Sequence, residues 1–388
     1  MTTAADLVRK LHARPGYHKA VLAITGGGAE AVGELLRHGN GSATLLEAVV
    51  PYDQEAFNRF VRGKPDKYCS AGAARDLAMA AYIRATEISG RYDVVGIGAS
   101  CSLKRDGVER AGRKHEVYIA FQNATTTGSF EYEITDINST RESEETFAAE
   151  KIINALVEGF GYQNELGLIE HTASHTSSGQ VTFAQPGWSL LLQKAVRNYK
   201  SKEFGGPLNT SKYIFPGAWN PIHTRHEEIM AKVHELTGKA VDLELCIRNV
   251  DKPPLNFYDL SAREVQLEAA LAGKPYAGNL HLTTTATFAE KAEVFPDTTF
   301  IVGADTFLRI ADLKYYGNDD KKRYEAIDGL RAAGCKFILF HRVINGKATT
   351  VEDIMTVPYY LTNLVERIIT HEELPPNDVC SSNLRKKL

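Results

Sequence analysis

The 388-residue sequence predicts an α/β protein with two α/β domains, the second built on a doubly wound parallel sheet. Short apolar runs typical of buried parallel strands alternate with segments of helical periodicity in both halves of the chain. A polar stretch rich in Gly, Ser and Thr, residues 171–187, separates the halves. We therefore expect a first domain at residues 1–165, a linker with a bridging helix at 166–208, and a second domain at 209–388.

The first half shows alternating strand and helix signals. The predicted strands are 20–24, 93–98 and 116–121, and the predicted helices are 29–36, 71–88 and 143–158. Ser70 directly precedes the Ala-rich helix 71–88, and its hydroxyl can accept a hydrogen bond from an N–H group of the first turn. The sequence therefore predicts Ser70 as the cap of this helix.

The second half shows the same alternation, and a helix at about 190–199 is expected to lead into it. The predicted strands are 212–215, 241–247, 299–302 and 336–340, and the predicted helices are 261–271 and 321–333. In strand 241–247 apolar residues alternate with Asp242, Glu244 and Cys246, which predicts a strand with two different faces. The ligand crevice of a doubly wound sheet lies beyond the carboxyl ends of its strands, so residues that follow strands are the candidates for a site.

The composition is that of a soluble globular protein, with 43% apolar and 24% charged residues. A formal net charge of −3 argues against nonspecific nucleic-acid binding, which normally requires a basic surface. No apolar run is long enough to span a membrane, and residues 1–20 lack the core of a signal peptide. The cysteines are scattered without a C-x-x-C pair, as in a reducing compartment. We expect a cytoplasmic homo-oligomer that binds neither nucleic acid nor membranes.

The stretch GAWNPIHTRH, residues 217–226, is the strongest functional signal in the sequence. It lies between a predicted strand and a helical segment, so its glycine turn leaves N–H groups at a helix start, where the helix dipole favours an anion. His223 and His226 are three residues apart and therefore neighbours on the first helical turn. Imidazole donors in this position suit the charged phosphates of a nucleotide.

The same stretch resembles the G-x-W/F-N/D-P-x-H-x-x-H signature of the nucleotidyltransferase superfamily that includes nicotinamide mononucleotide adenylyltransferases. The matching positions are Gly217, Trp219, Asn220, Pro221, His223 and His226. Arg225 stands where many members have glycine. The resemblance implies a Rossmann-like domain with His223 and His226 as catalytic residues. The nucleotide-binding residues that it implies here are Phe215, Gly217, Ala218, Trp219 and Asn220. The alternative interpretation is a proline-bearing turn with two incidental histidines.

Further elements of the second half resemble parts of the same superfamily. These are the G-x-D element at 303–305, a basic residue in the loop 249–254, a strand-end arginine, and an I-S-S-T-x-I-R-like element, VCSSNLR, at 379–385. The resemblance implies that Lys252 and Arg385 are catalytic residues. It adds to the nucleotide-binding set Gly303, Asp305, Arg342, Ser381 and Ser382. The alternatives are a helix cap for Asp305, a solvated arginine or lysine, and a frayed, charged chain end.

The implied activity is transfer of AMP from ATP, with Mg²⁺, to a nicotinamide nucleotide or a similar phosphorylated small molecule, with release of pyrophosphate. Two alternatives remain open. One is a cytidylyltransferase that uses CTP and a phosphorylated alcohol, although no clear R-T-x-G-I-S-T element of that branch is present. The other is a nucleotide-binding sensor without turnover.

The first half contains a TGG turn at 25–27, Tyr52, and a GIG sequence at the end of a predicted strand, 96–98. Over residues 5–162 this pattern resembles the CinA carboxyl-terminal family. Active members of this family deamidate nicotinamide mononucleotide. The glycine-rich turn suits either a phosphate or simply a bend in the chain.

Two replacements in this half argue against amidase activity. Ala23 stands at the serine nucleophile of the family, and Phe57 stands at its lysine. Neither side chain can attack an amide or transfer a proton. Ser100, Cys101 and Ser102 follow a strand, but no base is evident beside them. We therefore expect a binding, regulatory or oligomerisation module without amidase activity.

Overall fold

The structure is a computed structural model, and it divides into two compact units that are described separately. The first comprises Met1–Gln193 with Asp251–Leu260, and the second comprises Lys194–Val250 with Ser261–Leu388. The residues that the structure describes are 2–105, 112, 114–171, 174–205, 212–248, 254–341, 343–344, 347–348 and 351–375. Both units are α/β, which confirms the predicted fold class.

The first unit is built on a six-stranded mixed sheet. Its strands are β1 (Lys19–Thr25), β2 (Leu45–Val49), β3 (Val94–Ser102), β4 (His115–Gln122), β5 (Thr126–Ile134) and β6 (His175–Phe183). The order is β2-β1-β3-β4-β5-β6; β1 is parallel to both β2 and β3, whereas β3 to β6 are antiparallel. The helices are α1 (Ala4–His12), α2 (Glu30–Arg37), α3 (Gln54–Val61), α4 (Ala71–Ser89), α5 (Arg141–Gly159), α6 (Gln163–Leu166) and α7 (Pro186–Leu192).

Helix α4 packs directly on β3. A Cβ at Gly96 would lie 2.1 Å from the backbone nitrogen of Tyr82, so only glycine permits this approach. Ser70 caps the helix as predicted, because its Oγ accepts a hydrogen bond from the N–H of Ala73 at 3.2 Å. The result is a close contact between helix and strand that holds the parallel part of the first sheet in place.

The expected linker at 166–208 contains regular structure that the sequence analysis missed. β6 pairs with β5 along its whole length, and most of its residues are exposed. An edge strand that buries neither face carries no apolar period, so the polar composition of 171–187 concealed it. The helix predicted at about 190–199 is present but lies earlier in the chain, because α7 covers Pro186–Leu192 and a strand begins at Asn198.

The segment Asp251–Leu260 is counted with the first unit, although the sequence analysis placed it in the second domain. Phe257 explains this difference. Its ring stacks on Trp188 at a centroid distance of 6.0 Å, and its N–H donates a hydrogen bond to Thr127 Oγ1 at 3.0 Å. Both rings are buried, so this packing belongs to the first unit.

The second unit is built on a seven-stranded sheet. Its strands are β7 (Asn198–Glu203), β8 (Tyr213–Pro216), β9 (Val241–Cys246), β10 (Ala277–Thr283), β11 (Thr299–Gly303), β12 (Lys336–Phe340) and, after the short hairpin β13 (Val343–Ile344) and β14 (Lys347–Ala348), β15 (Val365–Ile369). The helices are α8 (Thr224–Thr237), α9 (Phe257–Leu271, counted with this unit from Ser261), α10 (Phe288–Val294), α11 (Ala304–Ile310), α12 (Asp320–Ala332), α13 (Val351–Ile354) and α14 (Tyr359–Thr362).

The strand order of the second sheet is β15-β12-β11-β8-β9-β10-β7. Every neighbouring pair is parallel except β10 with β7. Starting from β8, the chain adds β9 and β10 on one side and then β11, β12 and β15 on the other. This is a doubly wound sheet, as predicted, and its direction of winding reverses between β8 and β11. In such sheets the ligand crevice lies outside the carboxyl ends of the strands at this switch point.

Candidate functional site

The GAWNPIHTRH stretch connects β8 to α8, and its turn is fastened to β9. The N–H of Gly217 and the Nε1–H of Trp219 both donate to the carbonyl oxygen of Glu244, at 2.9 Å and 3.0 Å. The Trp219 side chain is 1% exposed and lies against Gly217, where a Cβ would come within 2.6 Å of the indole. The Asn220–Pro221 peptide bond is cis. Gly217 and Trp219 therefore fix the shape of this turn.

These contacts change the roles expected for two of the predicted nucleotide-binding residues. Phe215 and Trp219 are both buried and pack edge to face at 5.0 Å, so their side chains support the turn from within. Gly217, Ala218 and Asn220 are only partly buried. The Gly217 N–H and the Ala218 carbonyl oxygen are nevertheless hydrogen-bonded within the protein, to Glu244 and to Nη1 of Arg263 at 3.0 Å, so these backbone atoms also hold the turn.

His223 and His226 lie together at the start of α8. His223 is the residue that precedes the helix, and its N–H donates to Nδ1 of His226 at 3.3 Å. The two rings are stacked, with centroids 3.7 Å apart and planes 19° apart. The edge-to-face contact of Trp219 with His226, at 4.9 Å, also orients this ring. Because Nδ1 of His226 accepts a hydrogen bond, the proton of its neutral imidazole is assigned to Nε2.

Gly303 and Asp305 lie at the end of the strand next to β8. β11 is parallel to β8 and pairs with it through Thr299 with Tyr213 and Phe300 with Ile214. The predicted G-x-D element and the GAWNPIHTRH turn therefore both lie at the carboxyl ends of neighbouring parallel strands, at the switch point. Asp305 is in the first turn of α11, whereas Gly303 occupies the cap position without a side-chain bond. The interpretation of Asp305 as a helix cap is therefore wrong.

Arg225 is buried on the same helical turn, with 8% of its surface exposed. Its Nη1 donates to the carbonyl oxygen of Pro375 at 2.9 Å and to a carboxylate oxygen of Glu228 at 3.1 Å, and its Nη2 donates to the carbonyl oxygen of Leu374 at 3.3 Å. The departure from glycine at this motif position therefore binds residues 374–375 to the start of α8.

Two histidines that the sequence analysis did not single out lie at the same edge of the sheet. His341 follows β12 directly, His371 follows β15 by two residues, and their ring centroids are 4.5 Å apart. Burial, together with His341 and Arg225, lowers the pKa of His371 below its ordinary value of 6.5. The only sequence signal for them was their position after strand ends, which many structural residues share.

A buried ion pair lies beside the turn, on the polar face of β9. Nζ of Lys291 donates to Glu244 Oε1 and to the carbonyl oxygen of Thr285, both at 2.7 Å, and the Thr283 hydroxyl also donates to Glu244. Glu244 is 1% exposed and Lys291 is 5% exposed. Glu244 thus holds the GAWNPIHTRH turn through its backbone and the end of β10 through its side chain. Burial, reinforced by Glu244, raises the pKa of the Cys246 thiol to about 11, so this cysteine is no nucleophile at neutral pH.

Five predicted site residues fall outside the described part of the chain. They are Lys252, Arg342, Ser381, Ser382 and Arg385. Of the described candidates, Phe215 lies in β8, and Gly217 to Asn220, His223 and His226 follow it; Gly303 ends the adjacent strand β11, and Asp305 follows it.

The first unit has a cavity of about 510 Å³ at the carboxyl end of β1, beside residues 25–27 and Tyr52. Ala23 is buried within β1, and Phe57 is buried against Tyr68 at a ring distance of 5.4 Å. Neither position can therefore supply a nucleophile or a base. Gly26 lies so close to the backbone of Cys101 that a Cβ would come within 1.9 Å of its carbonyl oxygen, which favours the interpretation of the glycine turn as a bend.

Two of the three other candidate nucleophiles of this unit, Ser100 and Cys101, are occupied or inert. The buried hydroxyl of Ser100 donates to the carbonyl oxygen of Tyr68 at 2.6 Å. Burial raises the pKa of the Cys101 thiol well above its ordinary value, which removes the reactive thiolate. Both residues therefore have structural roles.

Comparisons with known proteins give a limited result. No family model matches the chain, and no curated protein matches it. Among solved structures, a competence-damaged protein (CinA) superfamily protein from Enterobacter cloacae matches with 17% identity and a TM-score of 0.34, covering 41% of this chain and 92% of its own. A competence or damage-inducible protein from Enterobacter asburiae matches with 15% identity and a TM-score of 0.33, covering 42% and 98%. One from Agrobacterium tumefaciens matches with 16% identity and a TM-score of 0.30, covering 40% and 92%. These values support no conclusion about activity.

Among the described residues, no helix is both long and apolar enough to cross a membrane. No group of three or more His, Cys, Asp or Glu side chains among them is arranged to hold a metal ion.

Proposed function

We propose that the second unit is a nucleotidyltransferase that transfers AMP from ATP to a nicotinamide nucleotide or a similar phosphorylated small molecule. A phosphate oxygen of the acceptor attacks the α-phosphorus of ATP and forms a new P–O bond. The bond from the α-phosphorus to the oxygen that bridges to the β-phosphate breaks, and its electron pair leaves with pyrophosphate. Such a transfer requires mainly positioning and electrostatic stabilisation from the protein.

The observation that carries this proposal is the position of the GAWNPIHTRH turn at the switch point of the second sheet. β8 ends directly before Gly217, and the neighbouring strand β11 ends at Gly303. Ligands of doubly wound sheets bind in the crevice at this point. The helix that starts there, α8, carries two stacked imidazoles on its first turn. A polyphosphate in the crevice would meet the positive end of the helix dipole and these donors together.

His226 is the residue to which we assign the main catalytic role. The hydrogen bond from the His223 N–H and the contact with Trp219 fix its ring. The neutral tautomer carries a proton on Nε2, which can donate to a phosphate oxygen as negative charge grows on the leaving group. His223 adds a second donor to the same phosphates. A fixed donor is effective because it does not have to reorganise during the reaction.

Magnesium would enter this site with ATP. Mg²⁺ usually keeps several waters and is held by substrate phosphates with one or two carboxylates. The described residues fit this mode, because Asp305 provides one carboxylate in the first turn after β11. The bound ion would neutralise charge on the phosphates, while the chain positions them.

The other proposed phosphate-binding residues are Arg342, after β12, and three residues near the carboxyl terminus, Ser381, Ser382 and Arg385. Arg225 fixes Pro375 beside α8, and Ser381 and Arg385 follow Pro375 by six and ten residues in the sequence. A chain spans up to about 3.5 Å per residue, so roughly 20 Å and 35 Å of chain are available to reach the phosphates. We assign phosphate contacts to Arg342, Ser381, Ser382 and Arg385.

Pyrophosphate release by the purified full-length chain tests the proposal. ATP or CTP is offered with a panel of phosphorylated acceptors that includes nicotinamide mononucleotide, and the products are identified by mass spectrometry. We expect release that depends on ATP and on an acceptor, and a product that contains AMP joined to it. His223→Ala should slow the reaction, whereas His234→Ala, in the last turn of the same helix, should not. Release with CTP alone would favour the cytidylyltransferase alternative, and no release with either nucleotide would contradict the proposal.

A further inference from the structure

The cavity of the first unit is not used by the proposed reaction, and its lining has a definite charge. The described lining includes the carboxylates of Glu30, Glu142 and Glu145 and the guanidinium of Arg141. Tyr52 and Val50 contribute to its rim. We propose that this cavity binds a small organic cation with an aromatic or apolar body and excludes phosphorylated ligands. The proposal does not depend on the function assigned to the second unit.

Glu145 already occupies the position at which an anion would bind. Its Oε1 accepts a hydrogen bond from the N–H of Glu30, in the first turn of α2, at 3.4 Å. Its Oε2 accepts a hydrogen bond from Nη2 of Arg141 at 3.3 Å. A helix start and a guanidinium are the two features that usually bind a phosphate. Both are directed at a carboxylate of the chain itself.

The surrounding backbone keeps this arrangement in place. A Cβ at Gly27 would lie 2.4 Å from Leu103 and 3.2 Å from Oε2 of Glu145, so glycine at this position permits the close packing of Leu103 and leaves room for the carboxylate beside it. Arg141 also donates to the carbonyl oxygens of Gly26 and Lys104, each at 3.4 Å. The guanidinium therefore has protein acceptors on several sides.

The charge that remains in the cavity is negative. Among the described residues, three glutamates and one arginine line it, a formal charge of −2 at neutral pH. Arg141 offsets Glu145, so Glu30 and Glu142 on the exposed side determine the sign of the field. A phosphate would be repelled there, whereas an ammonium or another organic cation would be attracted.

The rim offers surface for the apolar part of such a ligand. Tyr52 is 72% exposed and Val50 is 52% exposed, which leaves an aromatic face and an aliphatic group in contact with water. A bound organic cation would cover both groups, and a cation over the tyrosine ring gains an additional attraction. A volume of about 510 Å³ falls within the range of small-molecule sites.

Benzylammonium and benzoate test the proposal, because they share ring and size but differ in charge. Isothermal titration calorimetry with the full-length chain should show binding of benzylammonium and none of benzoate. Glu30→Gln and Glu142→Gln should each weaken benzylammonium binding about fivefold, the effect of one nearby charge in a solvated site. Glu133→Gln is the matched control. Glu133 lies on β5, pairs with Lys114 and is not among the residues that line the cavity, so this variant should leave benzylammonium binding unchanged.

Glu145→Ala provides a test in the opposite direction. Removing this carboxylate frees the start of α2 and Arg141, so the variant should gain benzoate binding and bind benzylammonium more weakly. Circular dichroism and unfolding in urea verify that each variant is folded. Binding of benzoate by the unaltered chain, no binding of benzylammonium, or affinities unaffected at both Glu30 and Glu142 would each overturn the proposal.

Discussion

Arg225 donates a hydrogen bond to the carbonyl oxygen of Pro375 at 2.9 Å, and this contact joins the last described residues of the chain to the first turn of α8. The same turn carries His226, and a second bond from Arg225 reaches Leu374 at 3.3 Å. Many members of the superfamily that this motif resembles have glycine in place of Arg225. In this chain the arginine has a structural role that glycine could not fill.

We predict that Arg225→Met destabilises the protein and loosens its carboxyl-terminal segment. Methionine keeps much of the apolar length but loses the bonds to Glu228, Leu374 and Pro375. Hydrogen bonds of charged groups contribute about 1.5–3 kcal/mol each, so we expect a loss of about 2 kcal/mol in the free energy of unfolding in urea. Trypsin should also cleave within residues 376–388 faster than in the unaltered chain.

The control for this prediction is Arg331→Met. Arg331 makes a similar ion pair with Asp328, but on an exposed helix surface, where such pairs contribute little. Equal urea midpoints and equal cleavage rates for the two variants would show that the bonds of Arg225 do not hold the chain end.

A second prediction concerns the packing of the turn. In Gly217→Ala the new methyl group meets the indole of Trp219 at 2.6 Å, and the overpacking should cost about 1–3 kcal/mol of stability. Gly329→Ala is the matched control, because no atom lies within 4 Å of its Cβ and it is inside α12. That change should stabilise the protein by up to about 1 kcal/mol. Urea unfolding measures both, and a neutral or stabilising Gly217→Ala would show that Trp219 does not require glycine there.

A third prediction concerns pH. Burial, His341 and Arg225 lower the pKa of His371 in the folded protein, so the unfolded chain, with a value near 6.5, binds the proton more readily. The contribution of neutral His371 is therefore fully present above pH 6.5 and is lost as the pH falls through 6.5 towards the folded pKa. In His371→Gln the decrease in unfolding free energy from pH 7.5 to pH 5.5 should be smaller than in the unaltered chain. An equal decrease in both proteins would rule out this contribution.

We also predict that the full-length chain releases no ammonia from nicotinamide mononucleotide. Ala23 is buried in β1, and Phe57 is buried against Tyr68, so neither nucleophile nor base is present at these positions. Ala23→Ser alone should not restore activity, because Phe57 offers no amine. The full-length chain is required, since the first unit extends through α7 and includes Asp251–Leu260. Ammonia release that persists after repurification would contradict the prediction and would direct attention to Thr25 in the cavity wall.

The sequence predicts part of each sheet: it misses β2, β5 and β6 in the first unit and β7, β10 and β15 in the second. Buried parallel strands such as β11 and β12 are continuous apolar runs, and the GAWNPIHTRH turn falls between β8 and α8 as expected. β6 was missed because it is an exposed edge strand. The polar positions of β9 are buried as well, since Glu244 pairs with Lys291 and Asp242 accepts hydrogen bonds from Asn279. Alternation alone does not distinguish a solvated face from a buried polar network.

Parts of the site depend on long-range contacts that sequence spacing does not encode. The bond between Arg225 and Pro375 joins residues 150 positions apart, and the contact of His341 with His371 depends on the neighbouring positions of β12 and β15. Each of these residues follows or precedes a regular element, as many residues without function do. Only the strand order shows which of them meet at one edge.

The most direct test of the account compares the pyrophosphate release rates of the unaltered chain and His226→Gln, with saturating ATP and an acceptor. Glutamine at the third helical position can still accept the hydrogen bond from the His223 N–H, as in a capping box, but it has no imidazole. If His226 stabilises the transition state, the loss of this donor costs on the order of 3 kcal/mol, and kcat should fall about 100-fold with little change in the KM for ATP. His226→Ala should be similarly slow. A His226→Gln variant that keeps the rate of the unaltered chain would show that His226 only caps α8, and would contradict the proposed nucleotidyltransferase site.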